Sequence, residues 1–205
     1  KVTIPADING VPVTEIADFA FYYNTNLTEL VLSAKLERIG IAAFSGCRNL
    51  SVVIDLEKTL RYIDASAFER CQKLSNFPFP NTLWSIGSHA FSGSGLVTVN
   101  LPDSLYHVGD GAFSECQGLY GFLINGDPNG ESLCFKAINS VLYSGTGTRL
   151  IAYPTASSFK FDIPEGVRTI ASYAFAGAKQ LTGVKFPSSL TKIESYAFYN
   201  CESIT

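Results

Sequence analysis

The stretch Ile39-Gly40-Ile41-Ala42-Ala43-Phe44-Ser45-Gly46-Cys47-Arg48-Asn49-Leu50 contains a pattern that returns along most of the 205-residue chain. Its Ala-Phe pair occurs seven times, with Phe at positions Phe21, Phe44, Phe68, Phe91, Phe113, Phe175 and Phe198. An aliphatic residue stands five positions before each Phe, and a second one stands three positions earlier still. The Phe-to-Phe steps are 22 to 24 residues, except for a step of 62 between Phe113 and Phe175. A fixed period of this length predicts a repeat protein whose units stack on one another.

Each unit contains a strand signal followed by a turn signal. In Leu96-Val97-Thr98-Val99-Asn100-Leu101-Pro102, apolar residues two positions apart share one strand face, and Pro ends the hydrogen-bonding ladder. The four-residue spacing between Ile39 and Ala43 predicts one helical or 3₁₀ turn that carries Ala and Phe inward. One unit cannot bury these side chains alone, whereas stacked units with parallel strands can. We therefore predict an α/β repeat solenoid with a parallel β-sheet, short helical or 3₁₀ turns and a continuous row of buried Phe rings.

The long step falls in an irregular region, which we place at residues 121–159. Within it, the run from Ser140 to Pro154 predicts a strand, a Gly-rich turn and a second strand. We expect this β-hairpin insertion to project from the solenoid. We assign residues 1–205 to a single solenoid domain with regular units over 1–120 and 160–205. The first and last residues fall inside units without a polar cap, so we expect a segment of a longer array.

The composition limits the classes of function. Hydrophobic residues make up 46% of the chain and charged residues only 16%, against about 25% charged in an average soluble domain, which excludes an intrinsically disordered chain. The net charge of -3 and the lack of a Lys or Arg run argue against nucleic acid and anionic membranes as partners. No apolar run approaches the ~18 residues of a spanning helix, so we expect no direct membrane span in this segment.

Four of the five cysteines occupy one position of the repeat, which other units fill with Asn, Ser or Ala: Cys47, Cys71, Cys116 and Cys201. A position that accepts these residue types favours small size, which predicts a ladder of small buried side chains. A disulfide between Cys47 and Cys71 is the alternative, because adjacent units bring the two thiols near each other. Cys134 lies outside this ladder and is the candidate for a free reactive thiol.

Catalytic and metal-binding patterns are weak in this sequence. The cysteines lack the paired spacing of a zinc site, and His89 and His107 lie at variable positions that do not predict a Ser-His-Asp arrangement. The run from Asn125 to Glu131 spaces oxygen side chains as a calcium loop does, but its residues are also typical of a plain turn. We therefore predict no catalytic residues, no metal, no cofactor and no enzymatic activity.

The unit resembles the BspA-like leucine-rich repeat, a bacterial cell-surface variant of the leucine-rich repeats. The resemblance rests on residues 39–50, on Ile86-Gly87-Ser88-His89-Ala90-Phe91, and on Val141-Leu142-Tyr143 before residues 150–154, and it covers essentially the whole chain. It implies a right-handed leucine-rich-repeat superhelix in an exported, surface-displayed protein that adheres to host proteins or other cells. It carries over no functional residue, because the family has no common catalytic motif.

The leading hypothesis is a non-enzymatic binding module that recognises a host or cell-surface protein or a glycan. The outward positions of the predicted strands form a nearly neutral candidate surface: Glu29, Val31, Asn76, Thr98, Asn100, Gly183 and Lys185. Tyr143 and Tyr153 are further candidates, because exposed Tyr offers a large contact area at low entropic cost; their alternative role is to shield the core. The alternative function is a structural spacer or stalk in a larger surface protein. Both functions imply an extracellular location or the bacterial cell surface.

Overall fold

The computed structural model of the protein describes residues 1–33, 35–55, 59–125, 134–157 and 159–205. Within these ranges the chain forms strands and turns, and it forms no helix. In chain order the strands are β1 (Val2–Thr3), β2 (Asp7–Ile8), β3 (Val11–Pro12), β4 (Glu15–Ile16), β5 (Glu29–Leu32), β6 (Arg38–Ile39), β7 (Val52–Asp55), β8 (Tyr62–Ile63), β9 (Ser85–Ile86), β10 (Thr98–Pro102), β11 (His107–Val108), β12 (Gly121–Asn125), β13 (Phe135–Ile138), β14 (Val141–Ser144), β15 (Arg149–Ala152), β16 (Lys160–Asp162), β17 (Thr169–Ile170), β18 (Gly183–Lys185) and β19 (Lys192–Ile193).

Most units contribute a longer strand and a two-residue strand to separate parallel sheets along the stack. The longer strands pair in the orders β1-β5-β7, β10-β12 and β16-β18. The longest of these pairings joins β10 and β12 and aligns Thr98 with Gly121 and Asn100 with Leu123. The two-residue strands β4, β6, β8, β9 and β11 form one five-stranded sheet, and β15, β17 and β19 lie side by side in another. The molecule is therefore a parallel-strand β-solenoid.

The prediction of helical or 3₁₀ turns, and with it the α/β class, is wrong. The Ala-Phe segments form successive turns in which alternate N–H groups donate to the next unit. At one boundary, three such bonds of 2.8–2.9 Å run from Ala42, Phe44 and Gly46 to the carbonyl oxygens of Ala65, Ala67 and Glu69. The φ angles of Ala42 and Gly46 are +51° and +75°, which a right-handed helix does not allow. We call these three bonds per boundary the turn ladder.

The predicted row of Phe rings is confirmed within the regular units. The rings of Phe44 and Phe68 lie 5.2 Å apart and nearly parallel, and those of Phe68 and Phe91 lie 5.3 Å apart. All three side chains are fully buried. Burial of one such side chain stabilises the fold by roughly 1.5–3 kcal/mol, so the row holds successive units together.

The predicted ladder of small buried residues is also confirmed. Cys47, Cys71 and Cys116 are buried, and Cys201 is partly buried. The thiol of Cys71 donates a hydrogen bond of 3.2 Å to the carbonyl oxygen of Phe44 in the preceding unit. The other three thiols make the same bond at 3.0–3.1 Å. Cys47 and Cys71 are both free thiols in this structure.

The predicted hairpin is present, but it does not project from the solenoid. Strands β14 and β15 pair antiparallel, and β13 adds a third antiparallel strand beside β14. Strand β15 also pairs in parallel with β17 of the following unit. Val141, Leu142 and Leu150 are buried, because the neighbouring units cover both strands of the hairpin. The insertion is thus part of the stack.

Tyr153 takes the place of a spine Phe in the irregular region. Its ring stacks on that of Phe175 at 4.8 Å, and its N–H donates to the carbonyl oxygen of Ala174 at 2.7 Å. Phe44 makes the equivalent bond to Ala67 in the turn ladder. The buried side chains form two packed clusters, and the hairpin contributes to both: Leu142 and Ala152 to the first, and Val141 and Leu150 to the second.

Candidate recognition surface

The outward residues of the longer strands form the first candidate surface, which we call the long-strand face. Of the predicted residues, Asn100 and Lys185 are well exposed on these strands, and Glu29, Thr98 and Gly183 are partly exposed. Asn76 is also exposed, but residues 74–80 form no strand, so its predicted position on a strand is wrong. Lys1 Nζ lies 2.9 Å from Glu29 Oε1, which neutralises that carboxylate. Exposed apolar side chains such as Leu123 share this face. The long-strand face therefore presents both polar and apolar side chains and carries few charges.

Three of the predicted binding residues are buried, so the expectation that they are exposed is wrong. Val31 points outward but is only 7% exposed, because Thr3 and Ile54 flank it in the sheet. Tyr143 and Tyr153 are 1% and 2% exposed and belong to the second packed cluster of the core. Burial also raises the pKa of Tyr143 to about 12. These two Tyr residues shield the core.

A second candidate surface lies on the sheets of two-residue strands. In four adjacent units, two residues precede the buried or partly buried aliphatic residue of the short strand. We call this set of residues the short-strand face: Glu37, Arg38, Arg61, Tyr62, Trp84, Ser85, Tyr106 and His107. Parallel pairing fixes the spacing of these residues, because strands β6, β8, β9 and β11 are neighbours in one sheet.

Aromatic side chains dominate the middle of the short-strand face. The rings of Trp84 and Tyr106 stack at 4.9 Å with an interplanar angle of 13°, and the two side chains are 49% and 62% exposed. The N–H of Tyr106 donates to the carbonyl oxygen of Trp84 at 2.9 Å, which holds the two residues side by side. Tyr62 is exposed one unit earlier. The face thus presents a large aromatic area on a rigid sheet.

Cations flank this aromatic area. Arg38 Nη2 lies 2.6 Å from Asp64 Oδ2 and its Nε lies 3.8 Å from Glu15 Oε1. Its hydrogen bond to Asp64 raises the pKa of Arg38 above the ordinary value. Among the described residues, Arg61 forms no ion pair within 4 Å. Its guanidinium is therefore available to a partner.

An ion-pair network joins the irregular region to the last unit. Both terminal nitrogens of Arg149 bind the carboxylate of Glu194, at 2.7 and 2.6 Å, and Nη2 also lies 3.4 Å from Asp110 Oδ1. Glu194 accepts further bonds from Lys192 Nζ at 3.0 Å and from the N–H of Ser172 at 3.2 Å. The Arg149 hydrogen bond is the largest of the effects that lower the pKa of Glu194 to about 2.

Reactive groups are scarce in the described part of the chain. No cluster of three or more His, Cys, Asp or Glu residues there could hold a metal ion. Burial raises the pKa of the Cys71 thiol above its ordinary value and that of Cys116 to about 11, so both are poor nucleophiles. Cys134 is free and partly exposed. Of the run that resembles a calcium loop, Asn125 ends β12 and residues 126–131 lie outside the described residues.

The short-strand face was not predicted from the sequence. The segment from Ile39 to Ala43 was predicted to be a turn, and neither Trp84 nor Tyr106 was a candidate residue. The available signal was the triplet Trp84-Ser85-Ile86 and its equivalent in the next unit, where a polar or aromatic residue recurs two positions before an aliphatic one. That pattern is too short to predict a strand alone.

Comparison with known proteins supports the repeat assignment. The sequence matches the BspA type leucine rich repeat region in six copies, over residues 2–130 and 152–205. None of the curated proteins compared with the chain matches it in sequence.

Solved structures share the fold. A leucine-rich repeat protein from Eubacterium ventriosum is 24% identical with a TM-score of 0.83, over 96% of this chain and 50% of that one. The pneumococcal vaccine antigen PcpA is 23% identical with a TM-score of 0.74, over 98% of this chain and 58% of that one. A leucine rich cell surface protein from Faecalibacterium prausnitzii is 26% identical with a TM-score of 0.63, over 93% of this chain and 64% of that one.

The chain spans about half the length of the Eubacterium structure. Among the described residues there is no helix with the length and apolarity needed to cross a bilayer. The family match covers most of the sequence, including all seven Ala-Phe pairs, and the solenoid geometry agrees with it. The chain therefore belongs to the BspA type leucine-rich repeat family.

Proposed function

We propose that the chain is a non-enzymatic recognition module of a bacterial cell-surface or secreted protein, and that it binds a protein or glycan partner. The observation that carries this proposal is the exposed aromatic and arginine content of the short-strand face. Trp84, Tyr106 and Tyr62 lie beside Arg61 on one rigid sheet. Trp, Tyr and Arg are the residue types that dominate binding energy at protein interfaces.

The short-strand face suits adhesion because its backbone is held in place before binding. The N–H groups of its residues donate to carbonyl oxygens of the preceding unit, so little backbone entropy is lost on association. Two structural neighbours, a leucine rich cell surface protein and a pneumococcal vaccine antigen, are consistent with display outside the cell. Protein recognition is also the usual role of stacked repeats with an extended surface.

The long-strand face is the second proposed surface. Its outward residues would contact a partner through hydrogen bonds: the exposed Asn100 and Lys185, and the partly exposed Glu29, Thr98 and Gly183. This face carries fewer aromatic side chains than the short-strand face. We therefore rank it below the short-strand face.

The test measures adhesion of the fluorescently labelled chain to cultured epithelial cells and to immobilised extracellular-matrix proteins. The double variant Trp84→Ser/Tyr106→Ser removes the aromatic stack, and Leu123→Ser is the matched control, because it replaces an exposed apolar side chain on the other face. Removing two interface anchors should weaken adhesion by about tenfold or more, whereas the control should bind as the unchanged chain does.

The other outcomes separate the remaining roles. Loss of adhesion in Leu123→Ser with retention in the double variant would assign binding to the long-strand face. No adhesion of the unchanged chain to any surface would contradict the recognition function and favour the alternative role as a structural spacer or stalk. In that role the solenoid would set the distance between other parts of a surface protein.

A further inference from the structure

A polar groove crosses the edge of the stack just after the Ala-Phe turns. Its volume of about 500 Å³ lies within the ~300–1,000 Å³ range of small-molecule sites. One side is formed by Arg70 and Gln72, and the other side by Glu115 and Gln117 of the unit after next. These residues stand two and four positions after a spine Phe. The groove is therefore separate from both strand faces.

The groove exists because the unit between its two sides has glycine at both positions, Gly93 and Gly95. Turn-ladder bonds from Arg70 to Ser92 at 2.7 Å and from Gly93 to Ser114 at 2.8 Å hold the three units in register. Paired parallel strands lie about 4.8 Å apart, so the two sides stand about 10 Å apart at the backbone. The gap between the two sides corresponds to the row of side chains that Gly93 and Gly95 lack.

Hydrogen bonds orient the polar groups of the groove. Gln117 Nε2 donates to the carbonyl oxygen of Gly177 at 3.1 Å, which leaves the amide oxygen of Gln117 as an acceptor. Asn200 Nδ2 donates to Glu115 Oε1 at 3.4 Å, and the second carboxylate oxygen of Glu115 has no hydrogen bond to a described residue. The amide of Gln72 likewise has no partner among the described residues. A ligand therefore meets both donors and acceptors.

The charge and polarity of the groove define the class of ligand. Arg70 Nε lies 3.7 Å from Glu69 Oε1, and a hydrogen bond to Tyr23, two units earlier, is the largest of the effects that raise the pKa of Arg70. Lys179 at the far end pairs with Glu202 at 2.8 Å. Glu115 has no cation within 4 Å among the described residues, so its carboxylate is the charge open to a ligand and the groove disfavours anionic ligands. Its described lining contains no aliphatic or aromatic side chain, so apolar peptide side chains find no pocket. Hydroxyl groups, which both donate and accept, satisfy such a lining.

We propose that this groove binds a neutral oligosaccharide. Its hydroxyl oxygens accept hydrogen bonds from the side-chain amide of Gln72, and its hydroxyl protons are donated to Glu115 and Gln117. The proposal rests on the proposed recognition function and adds a glycan site apart from the short-strand face.

The blocking variant is Gly93→Asn, which places a side chain in the gap. Gly93 has a φ of +64°, a conformation that Asn tolerates better than other side chains. A Cβ there would lie 3.6 Å from Arg70 Cγ, which is an ordinary contact. The matched control is Gly147→Asn, because Gly147 has a φ of +74° and no atom within 4 Å of an added Cβ. It lies in the hairpin turn, away from the groove.

The experiment applies the intact chain to an array of neutral and sialylated oligosaccharides and measures the affinity of the strongest neutral ligand by calorimetry. Gly93→Asn should bind that ligand about tenfold or more weakly, and Gly147→Asn should bind it unchanged. Gln72→Ala is the second variant. It deletes an exposed side chain that supports no described contact, so it should keep the thermal transition and still weaken binding severalfold.

Three results would overturn the groove assignment: equal binding by Gly93→Asn, loss of binding in Gly147→Asn, or binding of sialylated glycans or of no glycan by the unchanged chain. The proposed recognition function is tested separately, by the cell-adhesion assay. The Trp84→Ser/Tyr106→Ser variant should lose adhesion to cells and keep its affinity for the neutral glycan.

Discussion

Replacing Glu194 with Gln should destabilise the protein in a pH-dependent manner. The carboxylate of Glu194 accepts two hydrogen bonds from Arg149 and others from Lys192 and Ser172, and its pKa is about 2 instead of the ordinary 4.5. Because the folded-state pKa is lowered, the network stabilises the fold fully above pH ~4.5. The stabilisation is lost as the pH falls towards 2.

The size of the effect follows from the pKa shift. Lowering the pKa of Glu194 from 4.5 to about 2 corresponds to an upper limit of about 3 kcal/mol, at about 1.4 kcal/mol for each tenfold change in proton affinity. The side chains of Glu194 and Arg149 are 15% and 34% exposed, so solvent screening reduces this limit. We expect Glu194→Gln to lower the free energy of unfolding by about 1–2 kcal/mol at pH 7. The difference from the unchanged chain should vanish near pH 2.

The assay is urea unfolding followed by circular dichroism at pH 7, 5, 4, 3 and 2. The matched control is Glu202→Gln, whose ion pair with Lys179 at 2.8 Å is largely exposed, so little change is expected at any pH. A difference between Glu194→Gln and the unchanged chain that stays constant with pH would refute the electrostatic reasoning. So would an effect no larger than that of the control.

Two further predictions concern the core. Phe68→Ala should lower the free energy of unfolding by about 3–5 kcal/mol, because it removes a fully buried ring. The control Phe186→Ala removes an exposed ring and should lower the free energy of unfolding far less. A loss below about 1 kcal/mol for Phe68→Ala would contradict its role in the spine. In thiol titration of the native protein, Cys134 should react first, whereas Cys71 and Cys116 should react only on unfolding, since burial raises the pKa of both thiols. Rapid native labelling of Cys71 would disprove the ladder.

The stacking of units was predictable because it depends on short-range spacing. Each Ala-Phe pair carries its own aliphatic partners, and the spine contact between Phe44 and Phe68 follows from repeating that spacing. The strand at Leu96-Val97-Thr98-Val99-Asn100-Leu101-Pro102 was also visible, since alternation and a terminal Pro are local signals. The hairpin strands were predicted, but their burial depends on the units on either side.

The turns were mispredicted because a four-residue spacing fits both a helix and a run of turns. Only the positive φ angles of residues such as Ala42 and Gly46 distinguish a run of turns from a helix. An Ala in a sequence does not predict a positive φ angle. Tyr153 was missed as a spine residue because it replaces Phe within an irregular step. The polar groove depends on Gly93 and Gly95 lying between rows from two other units, which a single unit does not reveal.

The division of the core into two packed clusters has a mechanical consequence. When a stack is pulled along its axis, its interfaces bear the load in series, and the weakest one opens first. In this molecule the regular run of Phe rings ends at Phe113, and the network of Arg149 spans the following boundary. A load along the axis therefore passes at this joint through ion pairs and the strands of the hairpin instead of through stacked Phe rings.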